Sequence, residues 1–177
     1  MKSFTLHVLV DTKEKTDVFR DIKISADAKL ETLHKAILKA FDFKGQEMAA
    51  FYSCDKDWER LQEFPQMAMD KGQEKYEMGT ATIADLVKKK GSKALYVYDF
   101  LKMWCFLIEV INVSEEATKT PKVLLTVGKA PKESEKKVSE EPSFEGEGGI
   151  EDFNDNWDDD DEYDDDSYQS YDEDYNY

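Results

Sequence analysis

The sequence predicts an α+β fold: a mostly antiparallel sheet, one main amphipathic helix, a shorter second helix and a disordered acidic C-terminal tail. Three observations lead there. Apolar residues alternate with period two at residues 4–10 and 18–24, and further strand-like runs recur up to residue 127. The period changes to that of a helix over one clear stretch, residues 30–41. Charge then divides the chain. Residues 1–138 hold all 24 Lys and Arg with 22 Asp and Glu, whereas residues 139–177 hold 18 Asp and Glu and no base. The net charge of −16 therefore describes the tail, and the domain is close to neutral.

Residues 4–10 alternate, with Phe4, Leu6, Val8 and Val10 on one face. The polar run "DTKEKTD" reads as a turn. Residues 18–24 alternate again, with Val18, Arg20, Ile22 and Ile24 together, so the two runs form a hairpin. Leu30, Leu33, His34, Ile37, Leu38 and Phe41 then make one helical stripe. Ser25 or Asp27 is expected to cap its start, and Gly45 lies beyond its end. Glu31 and Lys35 form a favourable i, i+4 pair on the opposite face.

"EMAAFYSC" predicts a third strand, "WERLQEF" a short fourth, and residues 65–79 a loop. "TIADLVKKKG" predicts a short helix from Thr82, with Asp85 completing a capping box and Gly91 at the exit. Residues 94–100, 104–113 and 122–127 predict three more strands. A hairpin followed by a helix across the sheet suggests a β-grasp-like core. The domain is expected over residues 1–130. From 131 to 177 the chain is polar and then acidic, with too few aliphatics to offset the entropy of ordering.

The N-terminal run is short and alternating, unlike a signal peptide. No apolar run reaches the roughly 18–20 residues that span a bilayer; the longest, residues 103–111, is interrupted by Glu109. A cytoplasmic protein without a membrane role is expected, with Cys54 and Cys105 as reduced, buried thiols. No two of His7, His34, Cys54 and Cys105 lie within two to five residues, so neither metal nor cofactor is expected. The chain has no G-x-S-x-G, no phosphate-binding G-x-x-x-x-G-K and no dinucleotide fingerprint.

Five stretches carry a family resemblance: "FRDIKI" (19–24), "LETLHKAILKAFDF" (30–43), "FYSCDKDWERLQEF" (51–64), "IADLVKKKGSKALYVYDF" (83–100) and "GKAP" (128–131). Together they resemble the plasmid pRiA-type open-reading-frame-three-like domain family, which includes insertion-element passenger proteins of TnpR type. The likeness spans about residues 3–131. It implies an α+β fold and brings no assigned reaction, and the chain contains no resolvase-like serine motif. The family's common pattern continues Tyr-Asp-Phe with Gly-Asp, a Trp and soon a His. Here Tyr98, Asp99, Phe100 and Trp104 match, but Leu101 and Lys102 replace Gly-Asp, and Phe106 stands near the His. The family's late Pro-Pro-Glu-Asp-Cys-Gly-Gly-like segment survives only as "EGEGGIEDF". Catalysis or ligation by the family's Asp, His and Cys together is therefore not expected of this chain.

Two regions stand out as candidate sites. Tyr98, Asp99, Phe100, Lys102 and Trp104, with His34 on the helix, could rim a pocket. The simpler reading is a core hairpin whose Asp shapes the turn and whose histidine is structural. In the tail, Phe153, Trp157, Tyr163, Tyr168, Tyr171, Tyr175 and Tyr177 are interleaved with carboxylates. That pattern suits a linear motif docking on a protein with a basic, apolar surface. The expected function is a non-enzymatic, monomeric binding module. The alternatives are nucleic-acid association through "KKKGSK" (88–93), with the tail as internal competitor, and an enzyme with its site near Asp99.

Overall fold

The computed structural model describes residues 1–138. Seven strands form one sheet: β1 (Ser3–Val10), β2 (Phe19–Ser25), β3 (Ala49–Cys54), β4 (Arg60–Pro65), β5 (Lys93–Tyr98), β6 (Trp104–Ser114) and β7 (Lys122–Val127). Their order is β4-β3-β5-β6-β1-β2-β7, and every neighbouring pair runs antiparallel. The helix α1 (Leu30–Phe41) follows the first hairpin, and the one-turn helix α2 (Ile83–Leu86) precedes β5. The hairpin-then-helix unit is present as expected, and β6 joins it by pairing with β1.

The period-two face read from the sequence is the core face. Phe4, Leu6, Val8 and Val10 of β1 are buried, as are Trp104, Phe106, Ile108 and Val110 of β6. The stripe of α1 lies against them: Leu30, Leu33, Ile37 and Phe41 are fully buried. At about 1.5–3 kcal/mol for each fully buried large apolar side chain, this seam outweighs any propensity term in α1. Phe41 meets Phe106 edge-on at 4.9 Å between centroids, and Phe43 meets Trp104 the same way at 5.1 Å. The opposite sheet face carries His7, Leu9, Leu107 and the thiols. Cys54 and Cys105 are half-buried there rather than fully buried, because each sits one residue out of phase with the core-facing positions.

Three local expectations change. The cap of α1 is Lys29, not Ser25 or Asp27, and no side chain caps it. Tertiary contacts substitute: the amide of Leu30 donates to Ala81 O and that of Glu31 to Met78 O. Asp42, with φ 58°, closes the C-terminus before Gly45. The second helix stops at Leu86 instead of running to Gly91. Val87 is extended, and the hydroxyl of Ser92 accepts from the amides of Lys88 and Lys89, folding that stretch into a turn. The capping box itself is present, with Asp85 accepting from the Thr82 amide at 2.8 Å. That bond holds the Asp85 carboxyl below its ordinary range.

Candidate functional site

The turn between β5 and β6 is built around Asp99. Its φ is 59°, a left-handed conformation that Asp tolerates better than most residues, and Met103 repeats it at 56°. The Asp99 carboxylate accepts from the amides of Leu101 and Lys102, each at 3.1 Å. The Asp99 amide donates to Met48 O, and the Met103 amide to Asp99 O. The side chain is thus buried and committed to its own turn. Phe100 and Leu101 are displayed at the tip, 45% and 67% exposed.

Beside this turn lies an open cleft of about 740 Å³. The end of α1 forms one wall, Asp99, Leu101 and Lys102 another, and residues 129–134 with Val138 the third. Gly128 sends the chain there. It has φ +77°, and a Cβ at this position would sit 2.9 Å from Asp17 O and from a methyl of Val18. Only glycine meets both demands, which gives "GKAP" a structural reason. Beyond it, Glu133 in a short 3-10 turn accepts a 2.6 Å hydrogen bond from the Tyr98 hydroxyl and a 2.9 Å bond from the Lys44 amide. Burial first, then the Glu133 bond, push the Tyr98 phenol up to about 12. The Lys136 ammonium donates to Met103 O and lies over the Trp104 ring. Residues 131–138, placed with the tail by their composition, therefore make specific contacts with β5 and its turn.

The six predicted pocket residues do not converge. Asp99 and Lys102 line the cleft, and Tyr98 reaches it through Glu133. Phe100 points to solvent. Trp104 belongs to the core, 3% exposed, with its indole N–H lacking a partner among the described residues. His34 belongs to another buried cluster. Its Nδ1 is 2.7 Å from the Tyr96 hydroxyl, and its Nε2 is 3.3 Å from the Gln66 side-chain nitrogen. Gln66 Oε1 accepts from the Ala49 amide, so Gln66 presents its NH₂ to His34. Nε2 is then the acceptor and Nδ1–H the donor to Tyr96, a neutral imidazole. Burial lowers the His34 pKa, in keeping with that state.

Neither thiol is poised as a nucleophile. Burial pushes Cys54 up to about 11 and raises Cys105 as well. Among the described residues no group of three His, Cys, Asp or Glu side chains could hold a metal ion, and no helix is long and apolar enough to cross a membrane. Phe153, Trp157, Tyr163, Tyr168, Tyr171, Tyr175 and Tyr177 lie outside the described residues. Two arrangements carry no signal in the sequence pattern: the His7–Asp21 pair, 2.7 Å apart across β1 and β2, and the hydrogen-bonded setting of Arg20. Both depend on strand register and helix placement.

The described fold is similar to the crystal structure of a protein of unknown function, MM3350 from Methanosarcina mazei Go1. The TM-score is 0.60 at 19% identity, covering 75% of this chain and 73% of that one, a likeness of fold alone. No curated protein matches the sequence. The family model for the plasmid pRiA4b ORF-3-like protein matches residues 2–177, so it runs past residue 131, where the likeness read from motifs ends, and takes in the acidic segment. The chain belongs to the plasmid pRiA4b ORF-3-like family.

Proposed function

We propose that this protein is a non-enzymatic binding module. The α+β domain is the scaffold, and the acidic, aromatic-rich segment at residues 139–177 engages a protein with a basic, apolar surface. The protein acts as a monomer in the cytoplasm. The observation that carries this reading is the segment's composition: 18 carboxylates and no base, interleaved with aromatic side chains. Solubility alone requires no aromatics, whereas a docking motif uses them as anchors. The cleft supports the same view. Its Asp99 and Glu133 already accept hydrogen bonds that fix the turn and the 131–138 segment, which argues against an enzyme centred on Asp99. Affinity capture with full-length protein and with residues 1–138 tests the proposal: a partner held by the first and lost by the second is expected.

A second reading has one observation in its favour. Lys88, Lys89 and Lys90 are all exposed where α2 gives way to β5, and such a cluster can contact phosphates. In that reading the domain associates with nucleic acid and the acidic segment competes. Removal of residues 139–177 would then unmask binding at low salt.

A further inference from the structure

A second groove, of about 720 Å³, runs between α1 and the β2–β7 edge of the sheet. Its lining includes Arg20, Lys35, Lys39 and the hydroxyl residues Thr32, Thr120 and Thr126, and no Asp or Glu. That is notable in a domain whose charges nearly balance. Arg20 is 95% buried by its 5% exposure, with its guanidinium 4.9 Å from the Phe41 ring centroid. Of the five N–H donors of an arginine, three are used: Nε donates to Ala40 O at 3.1 Å, and Nη1 to Phe19 O at 2.8 Å and Val127 O at 2.9 Å. These bonds lock the end of α1 to the sheet edge. The remaining two donors, on Nη2, have no partner among the described residues. Among the described residues they are not sealed in either, since there the one buried unpartnered side-chain atom is the Trp104 indole nitrogen. Nor does any described carboxylate pair with Arg20.

We infer that this groove is an oxyanion-binding site for a small ligand bearing a phosphate or carboxylate on an apolar body. The guanidinium edge is held rigid by three carbonyls, so little entropy is lost when it binds. The two N–H groups of Nη2, held in place, can donate charge-assisted hydrogen bonds to an anion oxygen. Lys39, exposed on the last turn of α1, adds charge, and Thr126, opposite Arg20 in the β2–β7 register, adds a hydroxyl. Ile22, Ala36 and Val123 provide an apolar wall for the body of the ligand. Lys35 contributes less, because it pairs with Glu31 at 2.9 Å.

The test is a titration of isotopically labelled full-length protein with phenyl phosphate, inorganic phosphate and benzoate at constant ionic strength. Saturable shifts of the Arg20 Nε–H and of the Lys39 and Thr126 amides are expected, with phenyl phosphate tighter than inorganic phosphate. Saturation by phenyl phosphate but not benzoate assigns a phosphate ligand, and the reverse assigns a carboxylate. Lys39→Glu, at an exposed position of α1, should weaken binding by about fivefold. Arg20→Lys, which keeps the charge but loses the fixed Nη2 donors, should abolish saturation. Because Arg20→Lys also removes structural bonds, Lys39→Glu is the deciding variant. Shifts that remain linear for every probe, or a Lys39→Glu protein that binds as tightly as wild type, overturn the inference.

Discussion

The Tyr98 hydroxyl donates a 2.6 Å hydrogen bond to Glu133, joining the end of β5 to a segment that by composition alone belongs with the tail. A hydrogen bond to a charged group contributes about 1.5–3 kcal/mol. Truncation after Ala130 is therefore expected to leave a cooperative fold that is weaker than the 1–138 protein by about that amount. Urea unfolding of the two proteins measures the difference. Equal midpoints would show that the contacts of residues 131–138 contribute nothing to stability.

Alkaline unfolding reports on the burial of Tyr98 and, second, on the same bond. The Tyr98 pKa is raised in the folded protein, to about 12, from its ordinary value near 10. The folded state then holds more protons than the unfolded state between these values, so stability falls as pH rises through that window. Tyr98→Phe should remove part of the fall. A pH dependence above 10 that is the same in both proteins would exclude Tyr98 as its source.

His34 acts at the other end of the pH scale. Burial lowers its folded pKa below the ordinary 6.5, and its acceptor nitrogen faces the Gln66 amide. Its stabilising effect is complete above pH 6.5 and is lost as pH falls toward the lowered value. The stability gap between wild type and His34→Asn should therefore narrow from pH 7.5 to pH 5 in urea melts. A constant gap would mean that His34 does not titrate on unfolding.

Trp104 separates burial from polarity. Trp104→Ala should cost about 3–5 kcal/mol, as for loss of a large buried aromatic. Trp104→Phe should cost less than about 1.5 kcal/mol, because the lost indole N–H has no partner among the described residues to leave behind. Thermal denaturation of both variants checks the pair, and equal losses would point to a hidden partner for the indole nitrogen.

Gly128 explains a motif. Gly128→Ala forces a side chain into the left-handed region and against Asp17 O, and a loss of about 1–3 kcal/mol is expected. The same change at Gly72, also at positive φ but with nothing within 4 Å of a Cβ, should cost less. Chemical denaturation of both variants ranks them.

The core faces of β1, β2 and β6 were legible because their large apolar residues recur with period two, although consecutive buried residues and bulges interrupt β1 and β2. The stripe of α1 was legible from its own helical period, and it placed His34 inward. Its partners were not, since Tyr96 lies 62 residues away and Gln66 lies 32 away. The start of α1 was legible but its cap was not, because backbone carbonyls of residues 78 and 81 satisfy its first amides, a tertiary solution that no local cap signals. Arg20 shows the same limit. Its side of β2 was plain from the pattern, but its three carbonyl partners come from three separate places in the chain.

Residues 139–177 are proposed to carry the binding function through their aromatics as well as their charge. The most direct measurement is quantitative affinity capture with three proteins: full length, residues 1–138, and full length with Phe153, Trp157, Tyr163, Tyr168, Tyr171, Tyr175 and Tyr177 replaced by Ser. One protein partner is expected to be retained by the first and lost by both others, although the third keeps every carboxylate. Retention of that partner by the 1–138 protein, or nucleic-acid binding that appears only after the deletion, would contradict that proposal.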